Sequence, residues 1–396
     1  MSSLPTPTRH LRPRDGSAQA ITNVELFFDL VYVFAVTQLS HLILDDLTAG
    51  GIARATFLLL VVWWAWIYTT WMVNWFDPAS SAAVRLVLVG VMLASLLMAA
   101  ALPEALDEHG VLFAVTYVAL QVGRNAAGAV LLRRDHPLRT VFERLVVWSV
   151  ASGALWAGGA FLEGDHRLLL WAPALALDLA APVAGYWLPG RGRAMTTDYD
   201  VDGGHFAERC QGFIIIALGE SVVVTGATAA AAGLGTTVVL CLVVAFLETA
   251  ALWWLYFGAA AGHSRAAMLA SEDPGRLARD AYTYLHLPLV AGIIAAAVGD
   301  DLLIAEPHHH LHGVGLAMVV GGPALYLLGE NLFRRRMTGT VNPRRFLAAA
   351  ALLALALLGP HVSALALSVA VTAVLMALAL WEHRTPPTVR ERPAAA

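Results

Sequence analysis

Glu25-Leu-Phe-Phe-Asp29-Leu-Val-Tyr-Val-Phe-Ala-Val-Thr-Gln-Leu-Ser-His41 decides the reading of the fold: an apolar run that carries two carboxylates one helical turn apart. With Leu42-Ile-Leu44 it reaches the ~20 residues a helix needs to cross a bilayer. It is too long and too continuously apolar for a strand of a membrane barrel, whose segments are shorter and alternate. Thr22-Asn-Val-Glu25 reads as a capping box that starts the helix. Asp29 lies one turn beyond Glu25, between Phe28 and Leu30, where it needs a partner or water.

Runs of the same kind recur along the chain. Spans are expected at 24–45, 52–75, 82–102, 110–132, 141–161, 167–188, 207–227, 234–257, 279–299, 311–333, 344–359 and 362–381. The fold class is therefore all-α and integral to a membrane, with about twelve transmembrane helices. Composition agrees: 58% of the 396 residues are apolar and 14% charged, where a soluble domain carries about a quarter charged. The net charge of −4 points to no nucleic-acid partner. The two cysteines fall inside apolar runs and are too few for a disulfide framework or a thiolate metal site. Residues 1–20 lack a signal-peptide core and read as a disordered cytoplasmic arm, as does the tail 383–396.

Arginine supplies the orientation, and no lysine occurs. The even connections and both ends carry it: Arg9, Arg12 and Arg14, then Arg133, Arg134 and Arg139, Arg191 and Arg193, Arg265 and Arg276, Arg334 to Arg336, and Arg384. The odd connections carry Asp45, Asp46, Glu104, Asp107, Glu163, Asp300 and Asp301 instead, with Arg54 and Arg167 the only arginines on that side. The inside-positive rule then puts both termini in the cytoplasm. Glu208 follows Glu25 by 183 positions and Trp254 follows Trp71 by the same interval. Two six-helix repeats, 21–190 and 207–382 joined by a linker 191–206, follow from that offset, related by an axis along the membrane normal.

Ionisable groups within the spans are the candidate site, because each costs at least ~2.5–3.5 kcal/mol at a helix centre and normally turns inward to pair. They are Asp29, Glu25, Arg124 with Asn125, Asp178, Glu220 with Ser221, Glu248 and His286. Glu25 also reads simply as a helix cap, Glu220 as a structural hydrogen-bonded carboxyl, and any lone histidine as packing. Arg124 is the expected counter-ion of Asp29, Glu220 or Asp178. Glu330, just before Arg334, reads as an interfacial ion pair. The run Pro307-His-His-His-Leu-His312 matches no closed tetrahedral metal site and reads as a solvated loop.

Val24-Glu-Leu-Phe-Phe-Asp-Leu-Val-Tyr-Val-Phe-Ala-Val-Thr-Gln-Leu-Ser-His41 resembles the opening motif of the bacterial low temperature requirement A family. Glu208-Arg-Cys-Gln-Gly-Phe-Ile-Ile-Ile-Ala-Leu-Gly-Glu-Ser221 resembles its second hallmark, and His286-Leu-Pro-Leu-Val-Ala-Gly-Ile-Ile its third. The resemblance covers residues from about Ala20 to Trp381. It implies a bacterial inner-membrane protein linked to growth in the cold. A fainter likeness runs to the endolysosomal potassium channels, which also have two six-helix repeats. Phe28-Asp29 falls where that family has Ser-Asp, but Glu25 replaces a basic residue and Gly212 an aspartate.

Three readings follow. A proton-coupled carrier of a small solute uses Glu220, Asp29, Glu248 and His286 as titrating groups. An ion channel has its constriction at Val31, Ala35, Ile215 and Leu218. A non-transporting protein of cold or stress adaptation holds its charges in static pairs. No zinc-binding His-Glu-x-x-His, nucleophile elbow or phosphate loop argues for an enzyme. No cofactor is implied; the expected partners are membrane lipid and a small solute or ion, with oligomerisation open.

Overall fold

A computed structural model describes residues 10–14 and 19–384, and most of the expected arm and tail lies outside them. The described residues are all-α, with isolated β-bridges and no strand. In chain order the helices are α1 (Asn23–Asp45), α2 (Ala49–Trp75), α3 (Ala82–Ala101), α4 (Gly110–Leu131), α5 (Pro137–Ala160), α6 (Leu168–Ala180), α7 (Gly203–Ala232) and α8 (Thr236–Leu255). There follow α9 (Pro274–Ala305), α10 (Gly313–Thr338), α11 (Pro343–His361) and α12 (Ala364–Arg384). Among the described residues nine of these are long and apolar enough to cross a membrane: α1–α3 and α7–α12. The polar positions Gln121, Arg124 and Asn125 dilute α4, and α6 stops after 13 residues, ahead of Pro182 and Gly185. The run expected at 167–188 is thus a short helix and a turn.

Local chemistry sets the ends. Thr22 caps α1 in the expected capping box, Thr48 accepts the Gly51 N–H at 3.1 Å, and Ser81 accepts that of Val84 at 3.3 Å. Gly339, at φ 70°, closes α10 in the left-handed conformation with its N–H 2.9 Å from Arg335 O. Three helices carry wide π-type turns: Tyr256–Ala260 after α8, Ala278–Leu285 in α9 and Ala317–Gly321 in α10. Such turns loosen the backbone ladder and cluster at functional sites. In α9 the loosened carbonyl of Thr283 accepts from Trp63 Nε1 at 2.8 Å, and the Thr283 hydroxyl accepts from Trp71 Nε1 at 3.0 Å.

The described chain divides into two compact units. The first holds the residues up to Glu220 together with Ala267–Leu287; the second holds Ser221–Ala266 and the residues from Pro288 onward. In the first, α4 packs along α5 and α3, α5 along α6, and α1 along α3 and α2. In the second, α8 packs on α12, and α11 on both α10 and α12.

The helices are inside-out relative to a soluble protein. On α1, Leu26, Phe27 and Leu30 are 51%, 60% and 62% exposed, whereas Glu25 and Asp29 are buried. On α8, Leu240, Val243 and Phe246 are exposed and Glu248 is buried. Water would favour the reverse; hydrocarbon favours this arrangement. The protein is a multi-pass membrane protein.

Candidate functional site

The carboxylates that open α1 are enclosed by a closed network in the first unit. Glu25 Oε2 accepts from Thr22 N at 2.8 Å, Thr22 Oγ1 at 2.7 Å and Arg12 Nη2 at 2.8 Å, and its Oε1 lies 2.8 Å from His205 Nε2. Arg12 also donates to Val73 O, and the backbone of Leu11 bridges to Phe76, so residues 10–14 are fastened to the end of α2. One turn into α1, Asp29 is gripped by Arg209 of α7: Nη1 is 2.5 Å from Oδ2 and Nη2 is 2.8 Å from Oδ1. Trp66 Nε1 adds a third donor at 2.9 Å. The guanidinium lies over the Phe28 and Trp66 rings, with centroid distances of 5.8 and 5.7 Å. Two-point pairing of this kind fixes both geometry and charge. The counter-ion of Asp29 is therefore Arg209 and not Arg124. Arg209 was concealed in sequence because it sits beside Glu208 at a helix entry, where a charge ordinarily meets water.

Arg124 forms a second polar cluster with Asp178. Nη1 of Arg124 donates to Ala65 O at 3.2 Å and Thr69 Oγ1 at 3.1 Å, and Nη2 donates to Gln121 Oε1. Gln121 Nε2 donates to Tyr117 OH at 3.0 Å, and Tyr117 donates to Asp178 Oδ2, also at 3.0 Å. Trp156 Nε1 is a further donor to the same oxygen at 3.2 Å. Arg124 and Asp178 are 1% and 8% exposed. Asn125 reaches Ser149 Oγ at 3.4 Å. Nearby, the hydroxyls of Tyr68 and Tyr186 are 2.5 Å apart. Tyr199, in the loop before α7, packs its ring on Trp71 and Trp75; burial pushes its hydroxyl up to about 12, so it stays neutral.

Glu220 sits further along α7. Its Oε2 accepts from Thr37 Oγ1 of α1 at 2.6 Å, while its buried Oε1 meets no donor among the described residues. His41 lies one turn beyond Thr37 on α1 and is exposed. Neither Thr37 nor His41 stood out in sequence as a site residue, although both belong to the opening motif. His286 is fully buried, with its ring stacked 5.3 Å from that of Tyr282. Of the constriction expected for a channel, Ala35 and Leu218 are buried and Ile215 is 55% exposed.

The second unit holds the remaining candidates. Ser221 is buried, and its carbonyl accepts from Thr225 Oγ1 at 2.6 Å. Glu248 is buried 3.5 Å from Thr372 Oγ1, and Asp300 is a neighbouring ionisable group. Asp300 and Asp301 belong to the last turns of α9 and not to the connection after it; Asp301 accepts from Thr228. Glu330 is not an interfacial charge paired with Arg334. It is fully buried and lies 2.6 Å from Arg345, which also binds Glu382 at 2.8 Å and donates to Leu255 O at 2.8 Å.

Among the described residues no three His, Cys, Asp or Glu side chains gather as a metal site. In the histidine-rich connection, His309 lies 2.8 Å from Glu306, and His310 Nδ1 lies 2.9 Å from Val362 O.

The chain is 37% identical over 383 residues to an uncharacterized protein of Rhizobium meliloti (strain 1021), a match covering 95% of this chain and 92% of that one. No solved structure matches. The family model described as bacterial low temperature requirement A protein (LtrA) matches residues 20–380. With the opening motif built into the Glu25 and Asp29 networks, and the second hallmark supplying Arg209 and Glu220, the chain belongs to the bacterial low temperature requirement A family.

Proposed function

We propose that this protein is a proton-coupled carrier of a small solute in the bacterial inner membrane, with both termini in the cytoplasm. In this reading α4, α5 and α6 join the nine apolar helices to make twelve crossings, arranged as two parallel copies of six.

What supports the reading is how buried charge is sorted. Glu25, Asp29 and Glu330 each have an arginine within 2.8 Å. Glu220, Glu248 and Asp300 are equally buried and have none among the described residues. A carboxylate in that position is costly, and a proton is the ion at hand to neutralise it. Glu220 carries the argument. One oxygen is held by Thr37, the other is unengaged, and the titratable neighbour His41 is exposed. In this reading the His41 imidazole and the Glu220 carboxyl together form the entry for protons. Arginine pairing locks Glu25, Asp29 and Glu330; Glu220, Glu248 and Asp300 are left to exchange.

The test is purified protein in liposomes loaded with a pH dye. Candidate solutes should move protons in the wild type, and Glu220→Gln should cut that movement by at least about tenfold, the scale of a lost proton-transfer group, with unchanged thermal unfolding. Undiminished coupled flux in Glu220→Gln contradicts the proposal. So does a variant that only melts earlier while neither protein moves protons; that result identifies a static polar pair.

A further inference from the structure

Arg124 is a buried arginine whose hydrogen-bond acceptors are all neutral. It is 1% exposed inside a helix bundle, and no carboxylate lies in salt-bridge range among the described residues. A guanidinium has five N–H donors; its hydrogen bonds to Ala65 O, Thr69 and Gln121 leave Nε buried without an acceptor. Nε belongs to the edge with which arginine grips a carboxylate side-on. What sets Arg124 apart from Arg209 and Arg345 is the missing carboxylate: Arg209 pairs with Asp29 and Arg345 with Glu330 and Glu382, although Arg209 Nε too lacks an acceptor.

The matching anion, Asp178, is present but held off. An amide and a hydroxyl, those of Gln121 and Tyr117, stand between the two charges in one hydrogen-bonded chain. No basic side chain bonds Asp178; its donors are Tyr117 and Trp156, with the Ser152 hydroxyl beside them. A small cavity opens beside the Gln121 and Asp178 ends of this chain, lined also by Trp64, Tyr68, Asn125 and Tyr186; Arg124, bonded to Gln121, does not line it. Aromatic faces beside an aspartate suit an ammonium group. Arginine beside an amide suits a carboxylate. A few polar groups converging on an otherwise aromatic pocket are the ordinary make-up of a small-molecule site.

We propose that the Arg124–Asp178 gap is the binding site for a small zwitterion of the α-amino acid class, its carboxylate on Arg124 and its ammonium on Asp178. The ligand displaces the Gln121–Tyr117 bridge and completes both ion pairs. This names a substrate class for the carrier reading and rests on it for transport, but the binding step stands apart from proton coupling.

The experiment is thermal unfolding of the full chain in detergent with each common L-α-amino acid, glycine included. For any that stabilises, the corresponding amine and deaminated acid are titrated too. At least one amino acid should raise the melting temperature saturably, and both single-charge analogues should bind at least about tenfold more weakly, the loss of one charge-assisted pair. Asp178→Asn should lose the amino acid while keeping the weak affinity for the deaminated acid, and Arg124→Lys should weaken both. Should Arg124→Lys not fold, Asp178→Asn with the analogue series decides. No stabilisation by any amino acid, an amine that binds as tightly as its amino acid, or binding indifferent to Asp178→Asn overturns the site. Because no pH gradient is present, binding retained in Glu220→Gln separates this result from a failure of proton coupling.

Discussion

Asp29 and Glu220 show how one residue type takes two roles in one apolar environment. Asp29 has two arginine nitrogens and an indole; Glu220 has one hydroxyl. Removing one partner of a buried pair strands the other charge, which costs about 3–5 kcal/mol, whereas replacing both by apolar groups of similar volume is often near neutral. Arg209→Met alone should therefore lower the melting temperature sharply, and Arg209→Met with Asp29→Leu should restore most of the loss; additive losses in that double variant contradict the pairing. Sequence identified Asp29 and Glu220 as inward-facing, and both are buried. It did not identify Arg209, Thr37 or His41. Pairing across 180 and 183 positions leaves no local trace, and each of those three looks ordinary for where it sits: a charge at a helix entry, a hydroxyl that bonds back to its own helix at Val33 O, and a polar residue one turn from a helix end.

At the scale of elements, length and apolarity made most spans legible, because a bilayer fixes both. The exceptions follow from polar content or backbone geometry. Gln121, Arg124 and Asn125 dilute α4, and the end of α6 was announced by Pro182 and Gly185, which outward apolarity masked. The wide turns in α8, α9 and α10 had no signature in composition. Close packing was equally hidden. A Cβ on Gly292 of α9 would lie 2.6 Å from Tyr326 N, and one on Gly322 of α10 would lie 2.6 Å from Ala296 N. The two backbones touch through reciprocal glycines, as small residues allow within membranes. Gly292→Ala and Gly322→Ala should each cost about 1–3 kcal/mol by overpacking. Gly226→Ala, with nothing within 4 Å, serves as the control. Equal melting temperatures for all three variants would refute the contact.

For the molecule as a whole, the alternation of arginine and acid across the connections predicts which segments face the cytoplasm. A fluorescent reporter at the C-terminus should mature, and alkaline phosphatase should be active when inserted at 306–310 and inactive at 191–193. The reverse pattern, or a phosphatase active at the C-terminus, contradicts the orientation. The proposed sorting of buried charge into locked and exchangeable carboxylates concerns the whole chain, and it can be read by infrared difference spectroscopy across a pH titration of the reconstituted protein. The account predicts a protonated-carboxyl band that changes with pH, loses one component in Glu220→Gln and is unaltered in Asp29→Asn. A spectrum without a titrating carboxyl, or one that Glu220→Gln leaves intact while Asp29→Asn abolishes it, contradicts the account.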